Sequence, residues 1–340
     1  MKSIAFFNNK GGVGKTTLLC NLGAFLAKEL KLKVLVIDGD PQSNATTYLL
    51  PEGALESIYL NDSSTIDSFY DSIAQGRGFS QALPEIFKSD RFSLDVLPGH
   101  PNFAAREDML SRDWSEGLIG YARGLQTTFN FKHLLNLVSD DYDFVLIDMG
   151  PSLGAINRSI LLAADYFLVP MSVDLFSMIA INNIISTLAT WRGEVQGALD
   201  SYSVKARERY LVDGHPAQWN LRFLGYVMQQ YRAKSVRGER KPVKSFDAIM
   251  QRFGPYLLDL EGKFGFGDLE GANLGQIPAL ASLIPLSQSA HAPVFDLGTS
   301  DGVVGAHFAA VDDAKLMYSQ ISKRLLQRVE TATTATREAV

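Results

Sequence analysis

The sequence predicts an α/β fold, a doubly wound and mostly parallel sheet flanked by helices. Three observations predict it. Short apolar runs of strand character alternate with stretches of helical apolar spacing through about the first 190 residues. The clearest runs, Ser3–Asn8, Val34–Ile37 and Phe144–Ile147, are continuous apolar blocks, as suits strands covered on both faces. Ligands of such sheets gather at the carboxyl ends of the strands, and Asn8, Asp38 and Asp148 all fall at such ends.

The first run leads into Lys10–Thr17, Lys-Gly-Gly-Val-Gly-Lys-Thr-Thr, and then into helical apolar spacing from Thr16 to Leu30. Strand, glycine loop and helix in that order describe a phosphate-binding loop rather than a chance glycine turn. Without side-chain bulk at Gly11, Gly12 and Gly14, backbone N–H groups from Gly11 through Val13 to Thr17 can wrap phosphates, and the helix aims its positive end at them. Lys15 is placed to neutralise the outer phosphates and Thr16 to ligate magnesium. Lys10 is unusual, because a phosphate loop does not need it. A lysine at the loop's start suits a reach toward a nucleotide held by another subunit.

The second run, Val34–Ile37, ends in Asp38-Gly39-Asp40-Pro41-Gln42. Two aspartates at spacing two share one side of an extended segment. They can face a metal ion or hold an attacking water, or they can be a solvated turn before Pro41. The third run decides between these readings, since Phe144–Ile147 ends in Asp148-Met149-Gly150-Pro151-Ser152, a carboxylate followed by a mobile glycine. Residues 51–90 read as loop with short helices around Ser63–Phe69. Residues 100–135 include a helix over Phe103–Leu110, and neither segment shows recognisable chemistry.

On Lys10–Thr17, Val34–Thr46, Leu94–Gly99, Tyr142–Gly154 and Ala164–Phe176, the chain resembles the ParA/MinD family of deviant Walker ATPases, the ParA branch most closely. The later half resembles it more loosely, through strands at Phe223–Met228 and Ala281–Pro285 and through Ala292-Pro293-Val294. The resemblance implies a P-loop NTPase fold of the SIMIBI type with ATP and Mg2+ as ligands. Lys15 would bind phosphate, Thr16, Asp38 and Asp148 would surround the metal, and Asp40 would orient the hydrolytic water. Lys10 would be the signature lysine that crosses an ATP-bound sandwich dimer, and Met228 and Pro285 would meet the adenine. Pro41–Asn44 and Gly150–Gly154 would be switch segments ordered by the γ-phosphate. Two departures stand out: Leu286 replaces an arginine frequent in ParA proteins, and Phe176-Ser177-Met178-Ile179 replaces a stretch with a usual glutamate.

Composition is that of a soluble globular chain, 46% hydrophobic and 20% charged over 340 residues, with formal net charge −5. One ATPase domain is expected over 1–328, elaborated at about 193–274. Ala314–Val329 reads as an amphipathic helix, and the Thr- and Ala-rich 329–340 as a disordered tail. Apolar runs are too short for a membrane span, a core strand starts almost at Met1, and Cys20 is the single cysteine, so a cytoplasmic protein is expected. His100, His133, His215, His291 and His307 lack ligand-like spacing, which disfavours structural zinc.

Charge is uneven. From Ser201 to Lys244 ten Lys or Arg face three acids, a local +7, while the remainder carries −12. The densest part holds Arg232, Lys234, Arg237, Arg240, Lys241 and Lys244, near where ParA relatives place DNA-contacting residues. Non-specific DNA is therefore an expected partner, with a ParB-like or other adaptor and a homodimer in the ATP state. The positional output would be segregation of plasmid, chromosome or other cargo. Two alternatives remain: a nucleotide-gated regulatory or scaffold subunit, and a MinD-like ATPase at a membrane surface, which the tail, with no aromatic and little basic charge, disfavours.

Overall fold

The computed structural model describes residues 1–61, 63–172, 174–231, 233–236, 239–242, 244–280 and 282–338, with side chains outside 230–251 and 335–338. The first half runs β1 (Lys2–Phe6), α1 (Lys15–Lys28), β2 (Val34–Asp38), α2 (Asn44–Leu49), α3 (Glu52–Leu60), α4 (Ile66–Phe69), α5 (Asp71–Ala74), β3 (Phe87–Ser89) and β4 (Leu94–Leu97). A 3-10 turn at Pro101–Ala105 leads into α6 (Arg106–Leu118), α7 (Ala122–Thr128), α8 (Asn130–Leu137), β5 (Phe144–Asp148), α9 (Ala155–Ala163) and β6 (Tyr166–Met171). Then come α10 (Leu175–Ala206), β7 (Leu211–Val212), β8 (His215–Pro216), β9 (Arg222–Tyr231), β10 (Ala233–Val236), β11 (Glu239–Pro242) and α11 (Lys244–Phe264). The chain closes with α12 (Leu269–Ala272), β12 (Asn273–Pro278), α13 (Leu283–Ser289) and α14 (His307–Glu338).

Eight strands form one sheet in the order β12-β9-β6-β1-β5-β2-β4-β3, parallel throughout except for the antiparallel edge strand β3. Residues of its central strands alternate between its faces. Ala5, Leu35, Ile37, Val145 and Ile147 meet Leu110 of α6, Leu134 of α8, Ile160 of α9, Ile184 of α10 and Phe253 of α11. Ile4, Phe6, Val34, Val36 and Leu146 meet Leu18 and Leu22 of α1 and Tyr318 and Ile321 of α14. Each large apolar side chain so enclosed contributes about 1.5–3 kcal/mol, and burial on both faces is why these strands read as unbroken apolar runs.

Two expectations are corrected here. No strand forms at Ala281–Pro285: Ala281 lies outside the described residues, and Leu283–Ser289 is helical, with Leu283 and Ser287 buried one turn apart. The strand that pairs with β9 is β12, whose Gly275 lets Ile321 of α14 approach to 2.9 Å of where a Cβ would stand. Residues 329–338 of the expected disordered tail are helical, because α14 continues to Glu338 with Ala332 buried, and 339–340 lie outside the described residues.

The last helix is fixed by a buried ion pair. Arg328, 2% exposed, donates from Nη2 to both carboxylate oxygens of Glu261 on α11 at 2.6 Å and lies 4.9 Å from the Phe266 ring. Glu261 also accepts from the amides of Phe266 and Asp268. Truncating one partner strands the other charge in a medium that solvates it poorly. Arg328→Ala should therefore cost about 3–5 kcal/mol, read as a lower urea midpoint, and adding Glu261→Gln should recover part of the loss.

Candidate nucleotide site

The site is built where β1, β2 and β5 end. Register pairs Phe6 with Asp148 and Asp38 with Asp148, so the phosphate loop and both aspartate turns leave the sheet at one level. Gly12 and Gly14 have φ of 71° and 77°, left-handed values that glycine adopts without strain. Gly14 is also pressed from outside: a Cβ there would lie 2.5 Å from Oε1 of Gln229 on β9, whose Nε2 donates to the Gly14 carbonyl at 3.0 Å. An open cavity of about 450 Å³ follows, lined by Gly11–Thr17 and by Asp40, Gln42, Asn44, Thr47, Tyr48, Pro151 and Gln288.

Electrostatics set the character of this cavity. Asp38 and Asp148 are fully buried, and Asp40 and Lys15 are 7% and 8% exposed. Burial pushes the Asp148 carboxyl up to about 8, helped by the charge of Asp38 and opposed by the Thr16 hydroxyl. Burial likewise raises Asp38 to about 6, against its hydrogen bonds from Thr46. Burial lowers the Lys15 ammonium, and attraction to Asp148 and Asp40 resists that. Three carboxylates thus surround one ammonium, a local excess of negative charge that a divalent cation would relieve.

Hydrogen bonds show which oxygens are free for that cation. Asp38 uses both: Oδ1 accepts from the Asp40 amide at 3.2 Å, and Oδ2 accepts from the Thr46 amide and hydroxyl at 2.7 Å. Its geometry is that of a brace for residues 38–46. Asp148 accepts the Thr16 hydroxyl on Oδ2 at 2.7 Å, while its buried Oδ1 has no partner. Among the described residues no three His, Cys, Asp or Glu converge as a self-sufficient metal cage. That fits magnesium, which takes few protein oxygens and completes its shell with phosphate and water. Thr16 and Asp148 suit it as ligands, whereas both oxygens of Asp38 are already engaged by protein donors.

Lys10 turns toward its own chain. Its ammonium donates to Ser172 Oγ at 2.9 Å and pairs with Asp174, which also caps α10 by accepting from the Ser177 amide at 3.0 Å. Partial burial raises the Asp174 carboxyl, but Lys10, Ser172 and the Ser177 amide outweigh it and hold the group below the usual carboxylate range.

A family model described as an AAA domain matches residues 1–200, more than half of the chain. The chain belongs to the ParA/MinD family of P-loop ATPases. It is 31% identical over 185 residues to a virulence plasmid ParA family protein of Chlamydia psittaci, covering 54% of this chain and 62% of that one. It is 30% identical over 192 residues to the sporulation initiation inhibitor protein Soj of Bacillus subtilis, covering 55% of this chain and 64% of Soj. The chain thus spans a little under two thirds of these relatives. A Corynebacterium diphtheriae protein of known structure is similar over most of the chain, with 30% identity, TM-score 0.68, and 86% of this chain and 97% of that one covered.

Not every expected site residue of this ParA/MinD-family ATPase meets the cavity. Met228 does not line it, being 1% exposed in the core beneath β9, and Pro285 stands exposed on α13 outside its walls. Gln229, Tyr48 and Gln288 were missed in the sequence. The only hint for Gln229 was a polar residue directly after the apolar run Phe223–Met228. Asn21, buried within apolar α1, was a similar hint: it donates to the Tyr48 hydroxyl and accepts from the Val294 amide. Of the basic set, Lys234 lies on β10 and Arg240 and Lys241 on β11, in a hairpin that pairs Lys234 with Lys241. Lys244 opens α11, and Arg232 and Arg237 lie outside the described residues.

The raised carboxyls give a pH dependence of defined sign. Below the ordinary aspartate value of 3.8 both folded and unfolded chains hold these protons; between there and about 8 the folded chain holds more. The stability contributed is therefore complete at low pH and is lost as pH rises toward about 8. In ligand-free protein, the melting temperature of Asp148→Asn should fall less from about pH 5 to about pH 8 than that of wild type. Equal slopes would refute the assignment of that buried charge.

Proposed function

We propose that this chain is a ParA-type switch ATPase that dimerises with ATP and magnesium, binds DNA without sequence preference in that state, and releases it on hydrolysis stimulated by an adaptor. The observation that carries this reading is the pairing of a complete phosphate loop with Lys10, an additional ammonium that its own nucleotide cavity does not use. Lys15 holds the outer phosphates, Thr16 and Asp148 hold the metal, and Lys10 leaves Asp174 to reach the nucleotide of a second copy. Magnesium, when bound, neutralises phosphate charge.

Asp40 would orient the hydrolytic water. It sits at the cavity wall, its Oδ1 accepts from the Gln42 amide at 3.0 Å, and the same oxygen is 3.2 Å from where a Cβ on Gly150 would stand. The two turns expected to respond to the γ-phosphate therefore meet at this carboxylate. A bulkier residue at 150 would press on it.

The charge of Ser201–Lys244, ten Lys or Arg against three acids, supports a DNA surface, because each cation placed near a polyanion releases counterions. Relatives named as a virulence plasmid ParA family protein and as chromosome-partitioning proteins support a role in partition. The likeness to the Corynebacterium diphtheriae protein covers 86% of this chain and supports the same fold, and it names no cargo.

Asp40→Ala should bind ATP, hydrolyse it at least tenfold more slowly, and elute as a dimer that retains non-specific duplex DNA at low salt. With ADP that retention should vanish. Adding Arg240→Glu and Lys241→Glu should leave the dimer intact and lower the salt slope of DNA binding by about 2, near one unit for each lost phosphate contact. ATP-independent or salt-insensitive retention would overturn the proposal.

A further inference from the structure

Gly150–Gly154 is the turn that faces Asp40, and the structure shows what anchors its far end. Residue 154 immediately precedes α9 and is extended, with φ −81° and ψ −177°, a conformation open to any residue. Conformational freedom therefore does not explain the glycine. Close approach does: a Cβ on Gly154 would lie 2.4 Å from Oε1 and 3.0 Å from Cδ of Glu107 on α6.

Glu107 occupies that space to cap α9 from another element. Its Oε1 accepts from the Ala155 amide and its Oε2 accepts from the Ile156 amide at 3.0 Å. Gly154 itself supplies no side-chain cap, so these first-turn amides depend on Glu107, and a carboxylate is the favoured partner at the positive end of a helix. From α9 the constraint passes into the turn. Asn157, 1% exposed, donates from Nδ2 to the carbonyls of Gly150 at 2.8 Å and Ser152 at 2.7 Å.

Helix α6 is itself held fast. Arg106, beside Glu107, donates to Asp67 of α4 at 2.6 and 3.1 Å and to Asp71 of α5 at 2.6 Å. One turn into α9, the Arg158 guanidinium lies 4.1 Å from the Trp114 ring of α6 and 5.7 Å from the Trp191 ring of α10. The segment in which the sequence shows no chemistry is thus a rigid support for the turn against Asp40.

We propose that Glu107 is a positioning residue for ATP hydrolysis, holding Gly150–Gly154 in register with Asp40 through the N-terminus of α9 and Asn157. Glu107 is not among the residues that line the nucleotide cavity. The inference rests on the reading of Asp40 and Gly150–Gly154 as the hydrolytic switch, and it adds a residue and a route of action that the switch motif does not contain. Since the phosphate loop lies on a different strand, loss of Glu107 should slow turnover without weakening nucleotide binding.

The test is steady-state ATP hydrolysis by the full chain, with ATP affinity from a fluorescent analogue and a urea midpoint for each variant. Glu107→Ala should lower kcat about tenfold, with ATP affinity within twofold of wild type. Glu107→Gln, which keeps the shape but can accept through one oxygen only, should fall between the two. Gly154→Ala should reproduce the kcat loss by displacing the carboxylate, and Glu107→Ala with Gly154→Ala should be no worse than either alone, because both break one contact. Should Glu107→Ala not fold, Glu107→Gln and hydrogen exchange at Ala155 and Ile156 decide: slowed turnover with faster exchange supports the proposal. Wild-type turnover in Glu107→Gln, or a kcat loss matched by lost affinity or by a lower urea midpoint, overturns it. Wild type that fails to hydrolyse ATP fails the switch reading instead, and Asp40→Ala in parallel tells the two apart.

Discussion

The structure depends on a concentration of buried charge at the carboxyl edge of its sheet. Asp38, Asp40 and Asp148 gather there around Lys15, and burial raises the carboxyls of Asp38 and Asp148. A folded chain tolerates such a cluster where a ligand completes it, and the fold is arranged to hold it open for one. Parallel register brings the ends of β1, β2 and β5 to one level, two helical layers cover the faces of the sheet, and the glycine loop leaves space for phosphate.

The nucleotide face was legible because its signals are local. Strand, glycine loop and helix occupy a continuous stretch, and each aspartate follows directly on the apolar run that delivers it. Asp38 was only half legible. Its position was readable, but its hydrogen bonds to Thr46 and Asp40 depend on how residues 38–46 fold back.

Other features were hidden because they join distant parts of the chain. Gln229 reaches the phosphate loop from a strand more than two hundred positions away. Glu107 is one of several acids on a polar helix until α9 is laid against it. The apolar Ala281–Pro285 looked like a strand because a short apolar run does not declare its period, and helix packing won there. In the last residues, Thr and Ala composition suggested disorder, yet α14 carries the helix on past the Arg328–Glu261 anchor.

The central claim is that Lys10 belongs to the nucleotide of a second copy and waits on Asp174 and Ser172 until that copy arrives. The most direct measurement is the association state of Lys10→Ala with a non-hydrolysable ATP analogue and magnesium, followed by sedimentation, beside its affinity for the same nucleotide. The account predicts a monomer that binds the analogue within about threefold of wild type while wild type dimerises. A Lys10→Ala protein that dimerises like wild type, or that loses the nucleotide altogether, would contradict it.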